Sequence, residues 1–441
     1  MTTRFVLGWK KPTSHRRNIK MDVRVFPTEF KGHVDLIGSK SLSHRMLIAA
    51  SLSPFQSELN GLMQSVDISA TLSILKAFGL QSESPYFKGP LSCEAPLQVN
   101  AKASGSTLRF LIPLALLFEH PITFTGEDRL PERSLDAYAR CFKDHHVTFS
   151  RRQAPWLPLT VQGPLKPGTF TLDASLSSQF VSGLLFALPL LPGDSKIILE
   201  GKIASEPYIQ MTLEVLRKSR IEISYNPPEI IIPGYQTYQS IQEIVEGDYS
   251  HSIFFLAGAL MNGDLSIHNL NPSSIQGDHQ VIKWLQGMQG KLTWNHDHLT
   301  VKKSTLQPFN GSMEHHPDLA PMLMALAASI PETSHFYDLE RLNHKESRRL
   351  DAMVTLLKRM NVDVSGDARH LQIKGQPQFH LEGALHTHAD HRLAMTFLMM
   401  AARATRPYIV RGVECVDKSY PEFLDVYRAI GGRFETIGDH S

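Results

Sequence analysis

The sequence predicts an α/β protein of two domains, each built from three copies of one β/α unit. Three observations point there: a recurring strand, polar loop and amphipathic helix; a set of far more apolar helices between the copies; and a change in how those helices open half-way along the chain. The copies run from Leu59 to Leu80, Ile122 to Phe149, Ile197 to Ile223, Leu265 to Trp294, His335 to Val364 and Tyr408 to Phe434, with starts roughly 63 to 75 residues apart. In each, a β-rich start gives way to an amphipathic helix of about twelve residues ending near Gly or a small polar residue.

The intervening helices are opened by Ser39-Lys-Ser-Leu-Ser-His-Arg45, Ser104-Gly-Ser-Thr-Leu-Arg109, Ser177-Ser-Gln179, Gly247-Asp-Tyr-Ser250, Pro317-Asp318 and Ala389-Asp-His-Arg392. Each opener holds a small or acidic polar residue of the kind that caps a helix N-terminus. A helix apolar on nearly all sides belongs in the middle of a domain. The openers are hydroxyl-rich before about residue 246 and carry aspartate after it, which divides the chain into a domain of residues 39–245 and a second of 21–38 plus 246–441. A first strand from Val23 to Ile37 joins the second domain, so the chain crosses twice.

One opener alone is explained by capping. Several aimed at one cleft make an anion site, because helix N-termini carry unpaired N–H groups and partial positive charge. Lys40, Arg45, Arg109, Arg133 and Arg392 lie near such ends, and clustering these cations calls for anions to neutralise them.

Composition removes other classes. With 441 residues, 42% hydrophobic, and a formal net charge of +2, the chain reads as an ordinary globular protein, and no basic run interleaved with aromatics suggests nucleic acid. The longest apolar runs, Phe110 to Phe118 and Phe180 to Leu191, fall short of the roughly 20 residues that span a bilayer. Cys93, Cys141 and Cys415 are too scattered for a disulfide frame or a zinc motif and fit a reducing compartment. The first twenty residues are basic without an apolar stretch and read as a disordered leader, with Met21 an alternative start. The 21 histidines include His386-Thr-His-Ala-Asp-His391, which reads as loop residues and not as a metal site. The Met-rich Phe397-Leu-Met-Met400 reads as core filling.

These stretches, in order and over nearly the whole chain after Met21, resemble the signatures of the 5-enolpyruvylshikimate-3-phosphate synthase family. The carriers are Gly38-Ser-Lys-Ser-Leu-Ser-His-Arg45, Ser104-Gly-Ser-Thr-Leu-Arg109, Thr125-Gly-Glu-Asp-Arg-Leu-Pro-Glu-Arg133, Ser177-Ser-Gln179 with Ser205-Glu-Pro-Tyr208, Pro317-Asp-Leu-Ala-Pro321, His344-Lys-Glu-Ser-Arg-Arg349, and Asp390-His-Arg392 with Asp417-Lys-Ser-Tyr-Pro421. The resemblance implies an enolpyruvyl-transferase-like fold, with buried helices and outward-facing mixed sheets. It also implies transfer of the enolpyruvyl group from phosphoenolpyruvate to shikimate 3-phosphate without metal or organic cofactor. The enzyme would be cytoplasmic and monomeric, with no nucleic-acid or membrane partner.

By the same resemblance, shikimate 3-phosphate falls to Lys40, Ser41, Arg45, Ser177, Ser178, Gln179, Ser205, Tyr208, Asp318 and Lys345. Phosphoenolpyruvate falls to Lys40, Gly105, Arg133, Gln179, Arg349, Arg392 and Lys418. Catalytic roles fall to Asp318, Glu346, Lys40, Lys418 and His391. Facing positive helix ends would repel until a polyanion draws them together, so closure on substrate is expected. Ala103, Ser134, Asn343 and Arg348 depart from the family pattern at positions without an assigned catalytic role. Two alternatives are weighed: the enolpyruvyl transferase acting on UDP-N-acetylglucosamine, whose motif pairs the lysine with asparagine where Ser41 stands here, and a catalytically idle metabolite-binding relative.

Overall fold

A computed structural model describes residues 20–151 and 154–438, so nearly all of the expected leader lies outside the described residues. Within them the chain forms six four-stranded sheets. The described residues divide into two compact units, one within Lys40–Val245 and the other formed by the residues up to Ser39 together with those from Glu246 on. None of the described helices is long and apolar enough to cross a membrane. The three cysteines are free.

One pattern builds every sheet. Strand Leu97–Asn100 leads into helix Gly105–Ala115, and the chain returns in strand Ile122–Thr125, parallel to the first. Helix Asp136–Cys141 then leads to a hairpin of Thr148–Arg151 and Leu159–Gln162, whose second strand pairs antiparallel with Ile122–Thr125. Alternate residues of these strands are buried, as in Ile122 and Phe124, so each sheet turns one face inward. The connecting helix covers that face: Tyr249–Asn262 is buried from Tyr249 to Met261, and Gly105–Ala115 and Ser178–Ala187 are nearly as enclosed. Where those last two helices meet, a Cβ on Gly183 would lie 2.2 Å from the Tyr138 hydroxyl and 2.4 Å from the Arg109 carbonyl, so no side chain fits.

The chain order is broken at both crossings. Helix Lys40–Leu52 follows strand Phe30–Asp35, yet that strand pairs with Gly263–His268 of the second unit. Its place beside Ser57–Asn60 is taken by Gln242–Ile244. Asp22–Phe26 likewise fills the sheet of Ala384–His386, Tyr408–Arg411 and Arg433–Ile437. Residues 23–37, expected as one strand, are therefore two. Pro27, without an N–H to donate, breaks the ladder between them, and the halves enter different sheets.

Two further expectations need correction. Three surface helices fall well short of twelve residues: Asp136–Cys141, Gln280–Gly287 and Phe423–Ala429, each preceded by a 3₁₀ turn that uses part of the segment. Capping holds for Ser104, Ser177, Asp248 and Asp390, whose side chains accept from backbone N–H groups of their helices. It fails at Pro317-Asp318: helix Ala320–Ala327 begins after Leu319, without a side-chain cap. Asp318 is used elsewhere.

Candidate active site

In the first unit, hydrogen bonds tie the openings of three buried helices together. Arg45, 2% exposed, donates from Nε to Thr212 Oγ1 at 2.8 Å and from its terminal nitrogens to the carbonyls of Ser41 at 2.9 Å and Tyr208 at 3.0 Å. All three acceptors are neutral, so burial pushes its guanidinium down to about 10. Lys40 Nζ lies 3.2 Å from Asp67 Oδ2. Arg109 donates to Gln179 Oε1 at 2.8 Å, and Gln179 Nε2 donates to Ser106 Oγ at 2.9 Å, joining helix Ser178–Ala187 to Gly105–Ala115. Ser182 and Thr212 hydroxyls, 2.8 Å apart, complete the link towards Arg45. Arg133 lies over Gly105 so closely that a Cβ there would be 2.5 Å from its NH1. Ser178 is buried in the first turn of its helix, beside the capping Ser177. Ser205 precedes helix Glu206–Lys218 in the left-handed region, at φ 54°.

The second unit is organised around Arg349, whose side chain is 1% exposed. Its Nε lies 2.7 Å from Asp390 Oδ2, its NH1 2.7 Å from Asp318 Oδ1 and its NH2 2.5 Å from Glu346 Oε2. Burial alone would lower this guanidinium; Asp390, Glu346 and Asp318 outweigh it and hold the group above its ordinary range. Asp318 also meets Arg392 NH2 at 3.2 Å and Lys345 Nζ at 3.5 Å. Burial lowers the Lys345 ammonium to about 8, against the pull of Asp318 and with Arg341 and Arg349 adding to the fall. Arg392 NH1 donates to the carbonyl of Ser250 at 2.9 Å, the Ser250 hydroxyl donates to Asp278 at 2.5 Å, and His316 Nδ1 sits 3.2 Å from the other Asp278 oxygen. A closed ring thus runs from Asp318 through Arg392, Ser250, Asp278 and His316 back along the chain to Asp318. His391, buried, follows the capping Asp390, and Lys418 Nζ lies 3.3 Å from the carbonyl of Ala389.

Asp318 and Glu346 keep 24% and 28% of their side chains exposed, although the cation between them is sealed. A purely structural ion pair gains nothing from such openness. Two accessible carboxylates held by one buried guanidinium, with Lys345 and Arg392 beside them, suit proton transfer next to bound anions.

A sequence profile described as EPSP synthase (3-phosphoshikimate 1-carboxyvinyltransferase) matches residues 26–427. The chain belongs to the EPSP synthase family. A 3-phosphoshikimate 1-carboxyvinyltransferase from Clostridium novyi is 35% identical over 428 residues, covering 93% of this chain and 98% of the relative. One from Clostridium kluyveri is 37% identical over 422 residues, covering 94% and 98%. The solved EPSP synthase of Acinetobacter baumannii shares the fold, with TM-score 0.80 at 22% identity over 95% of this chain and 100% of that one. This chain is thus a 3-phosphoshikimate 1-carboxyvinyltransferase. The UDP-N-acetylglucosamine reading falls with that match. Cys141 also offers no acid for it, since burial pushes its thiol up to about 12.

The departures from the EPSP synthase pattern have local uses. Asn343 Oδ1 accepts from the Leu350 and Asp351 N–H groups, at 3.1 and 3.3 Å, and so holds the start of helix Arg349–Arg359. Arg348 pairs with Asp351 on the surface at 2.6 Å. The Ser134 hydroxyl accepts from the Asp136 N–H at 3.0 Å, while its carbonyl accepts from Arg109 at 3.3 Å. Nothing in the structure explains Ala103. Asp67, Asp278, His316 and the ion-pairing role of Asp390 were not singled out from the sequence. Asp67 has a bland local reason, an acid in the first turn of helix Val66–Ala77, and Asp390 has its cap.

Proposed function

We propose that the chain transfers the enolpyruvyl group of phosphoenolpyruvate to the 5-hydroxyl of shikimate 3-phosphate. The observation that supports these residue roles most is the Arg349 hub, which gathers two accessible carboxylates beside further cations. Arg45 supports the anion-binding half: a buried cation with neutral partners gains most from a phosphate nearby. The reaction needs no metal or organic cofactor, and on the family resemblance we read the enzyme as a cytosolic monomer.

In this reading Asp318 takes the proton of the 5-hydroxyl as its oxygen attacks C2 of phosphoenolpyruvate. Glu346 gives a proton to C3, which becomes a methyl group. The tetrahedral adduct then loses phosphate from C2, which departs as hydrogen phosphate with the proton that Asp318 had taken, while C3 returns a proton to Glu346, leaving the enol ether and both carboxyl groups as they began. Lys40 and Lys418 balance charge on the reacting anions, and His391 lies beside the Asp390 cap. Ser177, Ser178, Gln179, Ser205 and Tyr208 hold the sugar-like ring and its phosphate, with Ser41, Arg45 and Lys345. Arg133, Arg392 and Lys418 hold phosphoenolpyruvate, which meets Arg349 by exchanging with one of its carboxylate partners.

Two consequences are measurable. Gly105→Ala pushes a methyl group into the Arg133 guanidinium, the movable end of a long side chain, so the protein should fold while the KM for phosphoenolpyruvate rises about tenfold, equivalent to ~1.4 kcal/mol. The KM for shikimate 3-phosphate should change less. Lys345 is charged below about pH 8 and neutral above, so kcat/KM for shikimate 3-phosphate should fall as pH rises through that value. Lys345→Arg, charged throughout, should flatten this limb of the profile.

Carbon-13-labelled phosphoenolpyruvate followed by NMR tests the proposal directly. Label should appear in an enol ether on the 5-hydroxyl of shikimate 3-phosphate. Label in an ether of UDP-N-acetylglucosamine, offered as competing acceptor, would overturn it.

A further inference from the structure

The outward face of one sheet in the second unit carries a row of histidines that the reaction does not use. His268 and His298 face each other in register on antiparallel strands Gly263–His268 and His298–Lys302. Their rings stack with centroids 4.9 Å apart and planes 20° from parallel. Asp297, in the turn just before His298, has a carboxylate oxygen 2.9 Å from His298 Nδ1. One ligand atom from each of His268, Asp297 and His298 lies within 4.8 Å of the others. His33, on the neighbouring parallel strand, continues the row with its ring 6.3 Å from that of His268.

We propose that His268, His298 and Asp297 form a surface site for a divalent transition metal of the zinc, nickel or copper type. Two imidazoles and one carboxylate are a donor set for those ions, whereas magnesium and calcium require an oxygen cage. Bonds of about 2.0–2.2 Å at a tetrahedral centre put neighbouring ligand atoms roughly 3.3–3.6 Å apart. Rotation about the side-chain torsions of half-exposed or exposed residues closes the remaining distance without moving the strands. The register supplies the rest: residues directly opposite on antiparallel strands hold their Cβ atoms about 4.5–5.5 Å apart, and the inward alternates Ile267, Leu299 and Val301 anchor both strands in the core. Water completes the coordination, with His33 next along the row. The bound ion would clip the turn at Asn295–His298 to the central strand and so stiffen the sheet.

The test is equilibrium dialysis of untagged full-length protein against zinc ion, with and without excess magnesium ion, comparing the parent with His268→Gln/His298→Gln. The double variant should bind one equivalent fewer, magnesium should not displace that equivalent, and zinc should raise the parent's melting temperature more than the variant's. The variant should keep full enolpyruvyl-transfer activity, which shows that it is folded. Asp297→Asn alone should weaken the same equivalent without removing it. Equal zinc stoichiometry in parent and double variant, no zinc bound by the parent, or displacement by magnesium would each overturn the proposal.

Discussion

Arg349→Ala is expected to lower the stability of the second unit by about 3–5 kcal/mol and to remove activity with it, because it leaves the buried Asp390 carboxylate without its cation. Asp390 is fully buried and Arg349 nearly so, so water cannot take over the lost pairing. Asp390 retains the Ser347 hydroxyl and the Arg392 N–H, at 2.9 Å each, which are neutral donors. Arg349→Lys keeps the charge but not the planar fork that reaches Asp390, Asp318 and Glu346 at once, so it should fall between parent and alanine variant. Adding Asp390→Asn to Arg349→Ala removes the worst of the stranded charge and should recover part of the stability but none of the turnover. Urea unfolding, read alongside phosphate release, separates these outcomes. A stability loss no larger than that of an exposed arginine would show that the hub is not a buried network.

Asp318→Asn should reduce kcat by about 10²- to 10⁴-fold, the usual contribution of a positioned acid or base, with substrate affinity changed far less. The amide fills the same volume and can still accept from Arg349 or Arg392, but it takes no proton from the 5-hydroxyl. Glu346→Gln should show a similar loss of turnover by a different route. In heavy water with both substrates, the parent should incorporate deuterium at C3 of phosphoenolpyruvate, and Glu346→Gln should lose that exchange. A variant of Asp318 that turns over at the parental rate would remove the base from the account. Exchange that survives in Glu346→Gln would reassign the acid.

The sequence was most legible where one residue decides a local geometry. Ser104, Ser177, Asp248 and Asp390 cap the helices they were read to cap, since a side-chain oxygen one turn from free N–H groups is a local matter. Asp318 misled for the same reason: its short acidic side chain before an apolar helix has the form of a cap. Only the packed structure shows Arg349 and Arg392 drawing it away. Residues 23–37 read as one strand because their apolar content runs on, although Pro27 marks the break, and the partners that separate the two halves lie more than 200 residues away. The Asp278–His316 contact was out of reach because neither residue carries a local signal; their pairing depends on two segments meeting. Surface-helix lengths failed where the preceding loop tightened into a 3₁₀ turn, a choice that periodicity does not record.

The most direct measurement is phosphate release by the full-length protein in three mixtures: phosphoenolpyruvate alone, shikimate 3-phosphate alone, and both together. Addition across C2 must precede loss of phosphate, so release should occur only with both substrates. Release from phosphoenolpyruvate alone, or none from the complete mixture, would contradict the proposed enolpyruvyl transfer.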